Sequence, residues 1–180
     1  MSLSIDTLPQ VAAPLNYLAP MAERPRNYTY DPPPGVARSN IVSDTHVVRI
    51  HSARPLDRDV SLDREGFAVL HRPSEVQDFY DDDEVRRVYY PEATQALAEV
   101  TGAKRVFVFD HTVRRRVPGV EDRTANILRQ PVPRVHVDHT PKSGPQRVRD
   151  LLGDEAEALL RGRVQVVNLW RPIRGPLRDA

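Results

Sequence analysis

Proline is spaced along this chain so that few stretches of it can run far as one regular element. There are 17 Pro against 8 Gly in 180 residues, and each Pro fixes its own φ, withholds an N–H and pushes the preceding residue out of helical space. Pro9, Pro14, Pro20, Pro25 and Pro32-Pro33-Pro34 recur too often for a helix, yet Leu15, Tyr17, Leu18, Tyr28 and Tyr30 are too apolar for a free tail. Residues 1–40 are therefore expected to form an extended arm wrapped on a core surface, and residues 41–180 a single domain.

Charge and composition exclude several classes of function. Twenty-six basic residues nearly balance 25 acidic ones, so nothing argues for nucleic acid or an anionic membrane as partner. Without Cys there is no disulfide frame and no thiolate metal site. No apolar run approaches the roughly 20 residues that cross a bilayer. The expectation is a cytoplasmic protein.

Along the domain, apolar runs alternate with breakers. Ile41–Ile50 reads as a strand, as does Gly66–His71, which Arg72-Pro73 ends. Ser74 is placed as the N-cap of a short helix through Phe79. Asp81-Asp82-Asp83-Glu84 complements the positive end of a helix dipole. Pro91 opens a helix that Thr101-Gly102 closes. Arg105–His111 reads as a buried strand, 117–130 as a loop, 134–140 as another strand, and 164–170 as the last. Between these last two, Ser143 is placed as the cap of a helix interrupted at Gly153 and stopped by Gly162.

Two features carry chemistry. In a strand alternate side chains share a face, so His136 and Asp138 point the same way. An imidazole beside a carboxylate is two-thirds of the facial arrangement that holds Fe(II) with open positions opposite; the bland alternative is a surface His near an Asp. The run Arg114-Arg115-Arg116 reads as a solvated loop, as a two-point grip on a carboxylate, or as a nucleic-acid patch, for which no aromatic ladder keeps it company.

Several of these stretches, taken in order, carry a resemblance. Tyr89-Tyr90-Pro91-Glu92, Thr101-Gly102-Ala103, the run Val106–Arg115 with its Phe-Asp-His-Thr-Val-Arg core, Val135–Thr140 and Asn168-Leu169-Trp170-Arg171-Pro172-Ile173 resemble the ordered landmarks of the CmcJ/AsaB-type hydroxylase/desaturase family. The resemblance implies an α+β chain built as a double-stranded β-helix, or jelly roll, with flanking helices. It implies an oxidoreductase dependent on Fe(II) and 2-oxoglutarate that hydroxylates or desaturates a small-molecule natural product. His136 and Asp138 would be metal ligands, His111 and Arg114 would line or brace the site, Asn168 and Arg171 would serve the cofactor, and Trp170 would wall the substrate. Trp170 reads equally as a core residue, and His111 as a hydrogen-bonded structural histidine.

The chain also departs from that pattern. No histidine follows His139, whereas the family's third ligand lies further on, in a His-Thr/Ser-Ala-Phe-like stretch, with the arginine for 2-oxoglutarate later still. The expectation is an incomplete jelly roll lacking its C-terminal strands, resembling the N-terminal portion of such an enzyme, in which either no chemistry survives or one of two rescues restores it. His139 or His111 could substitute as third ligand, or a complementing chain or homo-oligomer could supply the missing strands. The alternative reading is a non-catalytic jelly-roll fragment that binds a small molecule or a partner chain.

Overall fold

The protein is described by a computed structural model that covers residues 5–28, 30–57, 59–119 and 128–177. Its longest ladder joins β1 (Gln10–Leu18) to β2 (Ser43–His51), antiparallel, with Gln10 opposite His51 and Leu18 opposite Ser43. The stretch expected to be an arm thus contributes a full strand. Pro14 is tolerated for a reason that the register exposes. Just beyond the ladder's ends Ser52 N donates to Pro9 O and Ala19 N to Val42 O, so odd-numbered β1 residues face β2 with their polar backbone groups. Pro14, opposite Val47, is therefore at a position where no N–H toward β2 is needed.

The acidic run does open a helix. Asp81 is the N-cap, its carboxylate accepting from the amides of Asp83 and Glu84 at 3.0 and 3.2 Å, before α1 (Asp82–Glu84). The helix does not start afresh at Pro91. It continues through a wide π-type turn, Val85–Tyr89, into α2 (Tyr90–Thr101), the Tyr90 amide reaching back to Val85 O. Pro91 has no N–H for the ladder, and the turn before it takes up the disruption by widening. Gly102, at φ 66°, ends α2 with its amide on Ala98 O.

The expected helix from Ser74 to Phe79 is absent. Its amides are claimed by carboxylates of the neighbouring helix: Glu75 N donates to Glu92 at 2.8 Å, and Gln77 N and Asp78 N donate to Glu84 at 3.0 and 2.9 Å. Those two bonds are the main cause holding the Glu84 carboxyl below its usual range. Ser74 gives its hydroxyl to Glu92 at 2.6 Å and does not cap a helix.

Part of the stretch expected to be a loop pairs as a short parallel ladder, β3 (Val113–Arg114) with β4 (Leu128–Arg129); residues 120–127 of that stretch lie outside the described residues. α3 (Ser143–Leu152) follows, broken at Gly153 by a 3₁₀ turn and resumed as α4 (Ala156–Leu160). Its capping differs from expectation. Thr140 Oγ1 accepts from the amides of Lys142 and Ser143, while the Ser143 hydroxyl accepts from Thr140 N.

Four expected strands, at 66–71, 105–111, 134–140 and 164–170, carry no ladder among the described residues. Pairing, not apolar sequence, makes a strand, and the described residues of these segments form no repeating backbone ladder. Their apolar side chains stay in water: Phe107 is 49% exposed, Val137 81% and Trp170 73%. The accessible surface is 14600 Å² for 20.4 kDa, where a compact monomer of that mass exposes about 8,800 Å². The core is correspondingly small, comprising Leu8, Val76, Val85, Ala93, Ala96, Val113, Val148 and Ala156 among the described residues.

Because Asp81 satisfies two of the orphan amides of α1, Asp81→Ala is expected to lower stability by about 1 kcal/mol, measured by urea unfolding followed by circular dichroism. Asp81→Asn, which keeps an accepting oxygen, is expected to lose much less.

Candidate metal centre

His136 and Asp138 lie beside one another, and their surroundings decide what each atom can do. The His136 Nδ1 is 2.8 Å from the Arg134 carbonyl, which accepts only, so Nδ1 carries a proton and Nε2 is the ring nitrogen left to meet another partner. That Nε2 faces Asp138 Oδ1 at 3.4 Å. Ligands at right angles on an octahedral ion with bonds of 2.0–2.1 Å stand about 3 Å apart, so the pair is spaced to share a small divalent ion after a slight movement. An imidazole fixed through its other nitrogen to a backbone carbonyl is also the arrangement that metal-ligating histidines use. Both side chains are about half exposed, at 47% and 50%, so an ion can reach them. Among the described residues no third His, Asp or Glu joins them.

The segment bearing this pair is registered by Asn16, a residue the sequence did not single out. Asn16 O accepts from Val135 N at 2.9 Å, and its side-chain amide donates to Pro133 O at 2.9 Å. Its Oδ1 takes the Thr45 hydroxyl at 2.7 Å, so one side chain on β1 ties β2 to the approach to His136. From the other direction Asn168 Nδ2 donates to Asp138 Oδ2 at 2.6 Å.

The remaining expected site residues fall into two groups. His111, largely covered, closes a ring with three helix side chains four residues apart. Arg86 Nε donates to Asp82 at 2.6 Å and Arg86 Nη1 to Tyr90 Oη at 3.3 Å. His111 Nε2 lies 3.2 Å from Asp82, and its Nδ1 lies 2.9 Å from Tyr90 Oη. With Nε2–H on the carboxylate, Nδ1 is the acceptor for the tyrosine O–H, and both ring nitrogens are used. His111 is therefore not open as a third ligand, and His139 does not join the pair either. Burial pushes the Tyr90 hydroxyl up, whereas the hydrogen bond from Arg86 holds the Asp82 carboxyl down.

Arg171 sits at the second junction. Its Nε donates to Tyr89 Oη at 3.1 Å, its Nη2 donates to Arg72 O at 2.7 Å, and the guanidinium lies 5.4 Å from the centre of the Tyr89 ring. Among the described residues Arg114 grips no carboxylate; its Nη1 donates to Gln130 O at 2.9 Å, at the start of the segment that leads to His136. Trp170, expected either in the core or as a substrate wall, projects into solvent. Tyr89, Tyr90 and Asn16 share one trait that sequence periodicity does not report: each bonds a segment far away in the chain.

Comparison with known proteins places the chain in a class. Its fold is similar to that of the iron and alpha-ketoglutarate-dependent endoperoxidase NvfI, which superposes with a TM-score of 0.71 at 27% identity, covering 84% of this chain and 55% of that one. An oxidoreductase of Emericella nidulans is 34% identical over 176 residues, covering 95% of this chain and 59% of its own length. The alpha-ketoglutarate-dependent dioxygenase phiK of a fungal species is 32% identical over 171 residues, 94% of this chain and 60% of that protein. The hydroxylase/desaturase efuI of Hormonema carpetanum is 28% identical, with 77% and 50% covered. Residues 15–180 match the family described as "Oxidoreductase/YMDC permease-like domain", and the chain belongs to it. The resemblance to hydroxylase/desaturases drawn from the sequence is borne out, and the chain spans roughly half to three-fifths of these relatives' lengths. No helix among the described residues is long and apolar enough to cross a membrane.

The Asp82 assignment has a measurable sign. A carboxyl held below its ordinary 3.8 contributes stability that is complete above that value and is lost as pH falls through the lower, folded one. Carboxyl ¹³C NMR titration is expected to place the Asp82 midpoint below 3.8, and Arg86→Gln to raise it towards that value.

Proposed function

We propose that this chain is part of an Fe(II)- and 2-oxoglutarate-dependent oxygenase that hydroxylates or desaturates a small natural product, with His136 and Asp138 as two of its metal ligands. The observation that carries the reading is the His136 imidazole, proton-bound at Nδ1 to Arg134 O, with Nε2 facing the Asp138 carboxylate. Support comes from the relatives, whose names are those of iron- and alpha-ketoglutarate-dependent enzymes and hydroxylase/desaturases. When bound, such a centre supplies the oxidation of an unactivated carbon that no amino-acid side chain achieves unaided.

This chain's own residues do the holding. His136 would offer Nε2 and Asp138 a carboxylate oxygen, a nitrogen–oxygen donor pair suited to a divalent first-row ion. His111, locked at both nitrogens, braces the helix against the segment that runs on to Arg114, and Arg114 braces Gln130. Trp170, at the open side of the Asn168 segment, is the substrate wall in this reading. A cytoplasmic location belongs to the same proposal, as does an incomplete jelly-roll architecture.

The third ligand is proposed to come from strands that pair with the unladdered segments, supplied by a complementing chain or by further chain of the same protein. The exposed Phe107, Val137 and Trp170 favour this. The same surface favours the second reading, a non-catalytic jelly-roll piece that docks a partner chain.

Anaerobic Fe(II) titration in the presence of 2-oxoglutarate separates the two. Wild type is expected to bind iron more tightly than His136→Ala and Asp138→Ala; equal weak binding by all three would remove the metal and leave the docking reading.

A further inference from the structure

Asp138 has its two carboxylate oxygens assigned to different tasks. Oδ2 accepts the Asn168 amide at 2.6 Å, whereas Oδ1 faces His136 Nε2 at 3.4 Å. A carboxylate on an exposed, unladdered segment is free to turn about its last torsion, which is broad and roughly two-fold. An amide donor on one oxygen removes that freedom and leaves the other oxygen turned to the imidazole.

Asn168 needs an anchor of its own, because residues 164–170 have no ladder among the described residues to set their position. The anchor is three residues on. Arg171 spans from Tyr89 Oη to Arg72 O and stacks on the Tyr89 ring, which in turn meets Phe79 edge-on at 5.3 Å between ring centres. Tyr89 is the last residue of the wide turn, and Tyr90, the next, holds His111. Two adjacent tyrosines thus hold the two segments that run towards the site.

We infer that Asn168 is a positioning residue that fixes Asp138 as a one-oxygen ligand, and that the Tyr89–Arg171 contact holds Asn168 in place to do so. The inference rests on the metal reading above and adds to it a specific division of labour. Asn168, placed by the family resemblance with the cofactor, acts here through Asp138 and not on the cofactor.

The test is Mn(II) binding to the chain, followed by electron paramagnetic resonance, with a Co(II) absorption spectrum as a second readout of coordination geometry. Removing a partner that orients a metal ligand typically costs 10–100-fold in affinity. Asn168→Ala is expected to lose about that much and to alter the Co(II) spectrum, with an unchanged melting curve. Asn168→Gln, which keeps the amide donor, is expected to recover most of the affinity; Tyr89→Phe, which keeps the ring and removes the hydroxyl, should lose less than Asn168→Ala. Arg105→Ala, which removes an exposed pairing with Glu155, should bind as wild type. Wild-type affinity in Asn168→Ala, with binding lost in His136→Ala, would overturn this inference alone. Equal losses in the Ala and Gln variants would also overturn it, because the donor would then not be what matters. No difference between wild type, His136→Ala and Asp138→Ala would overturn the metal reading and this inference together.

Discussion

The carbonyl and side chain of Asn16 are the fixed point of the site. Three groups meet there, the Val135 amide, the Pro133 carbonyl and the Thr45 hydroxyl. The segment from Arg134 to Thr140 forms no ladder, and Pro131 and Pro133 cannot donate to one. Without the bonds to Asn16 its register against the β1–β2 pair would be set by little else, and a shift of one residue would turn His136 and Asp138 to the opposite face. The placing of the pair therefore depends on a strand that carries a proline within its ladder.

A second constraint comes from the helix. The wide turn before Pro91 is a local defect in hydrogen bonding, and it places consecutive tyrosines at its end, one reaching His111 and the other Arg171. Such turns are frequent where a helix must present side chains in directions that regular winding would not give. The ring of Asp82, Arg86, Tyr90 and His111 is closed, with each donor matched to an acceptor. It gives the His111 segment a definite position in a molecule whose hydrophobic core is too small to do so.

How much was legible in the sequence follows from the range of the forces involved. The acidic run as a helix start, Gly102 as a helix end and the break at Gly153 are local effects of capping and backbone freedom, and all three stand in the structure. β2 was legible from its apolar run. β1 was not, because Pro14 argues against a strand until the pairing register shows that its missing N–H is not called upon. The Ser74 helix failed because Glu84 and Glu92 take the amides it would have used, a contact across the chain. The His136–Asp138 pair was visible as a two-residue period. Its supports, Asn16, Asn168 and Tyr89, act over separations of 30 to 117 residues, and no periodicity encodes them.

The proposed site has room for one small divalent ion between His136 Nε2 and Asp138 Oδ1, 3.4 Å apart. Anomalous diffraction from crystals of the chain grown anaerobically with Mn(II) tests it most directly. A single strong peak is expected within bonding distance of both atoms, with Asn168 still on Asp138 Oδ2. A peak held by other residues, or none beside this pair at saturating Mn(II), would contradict it.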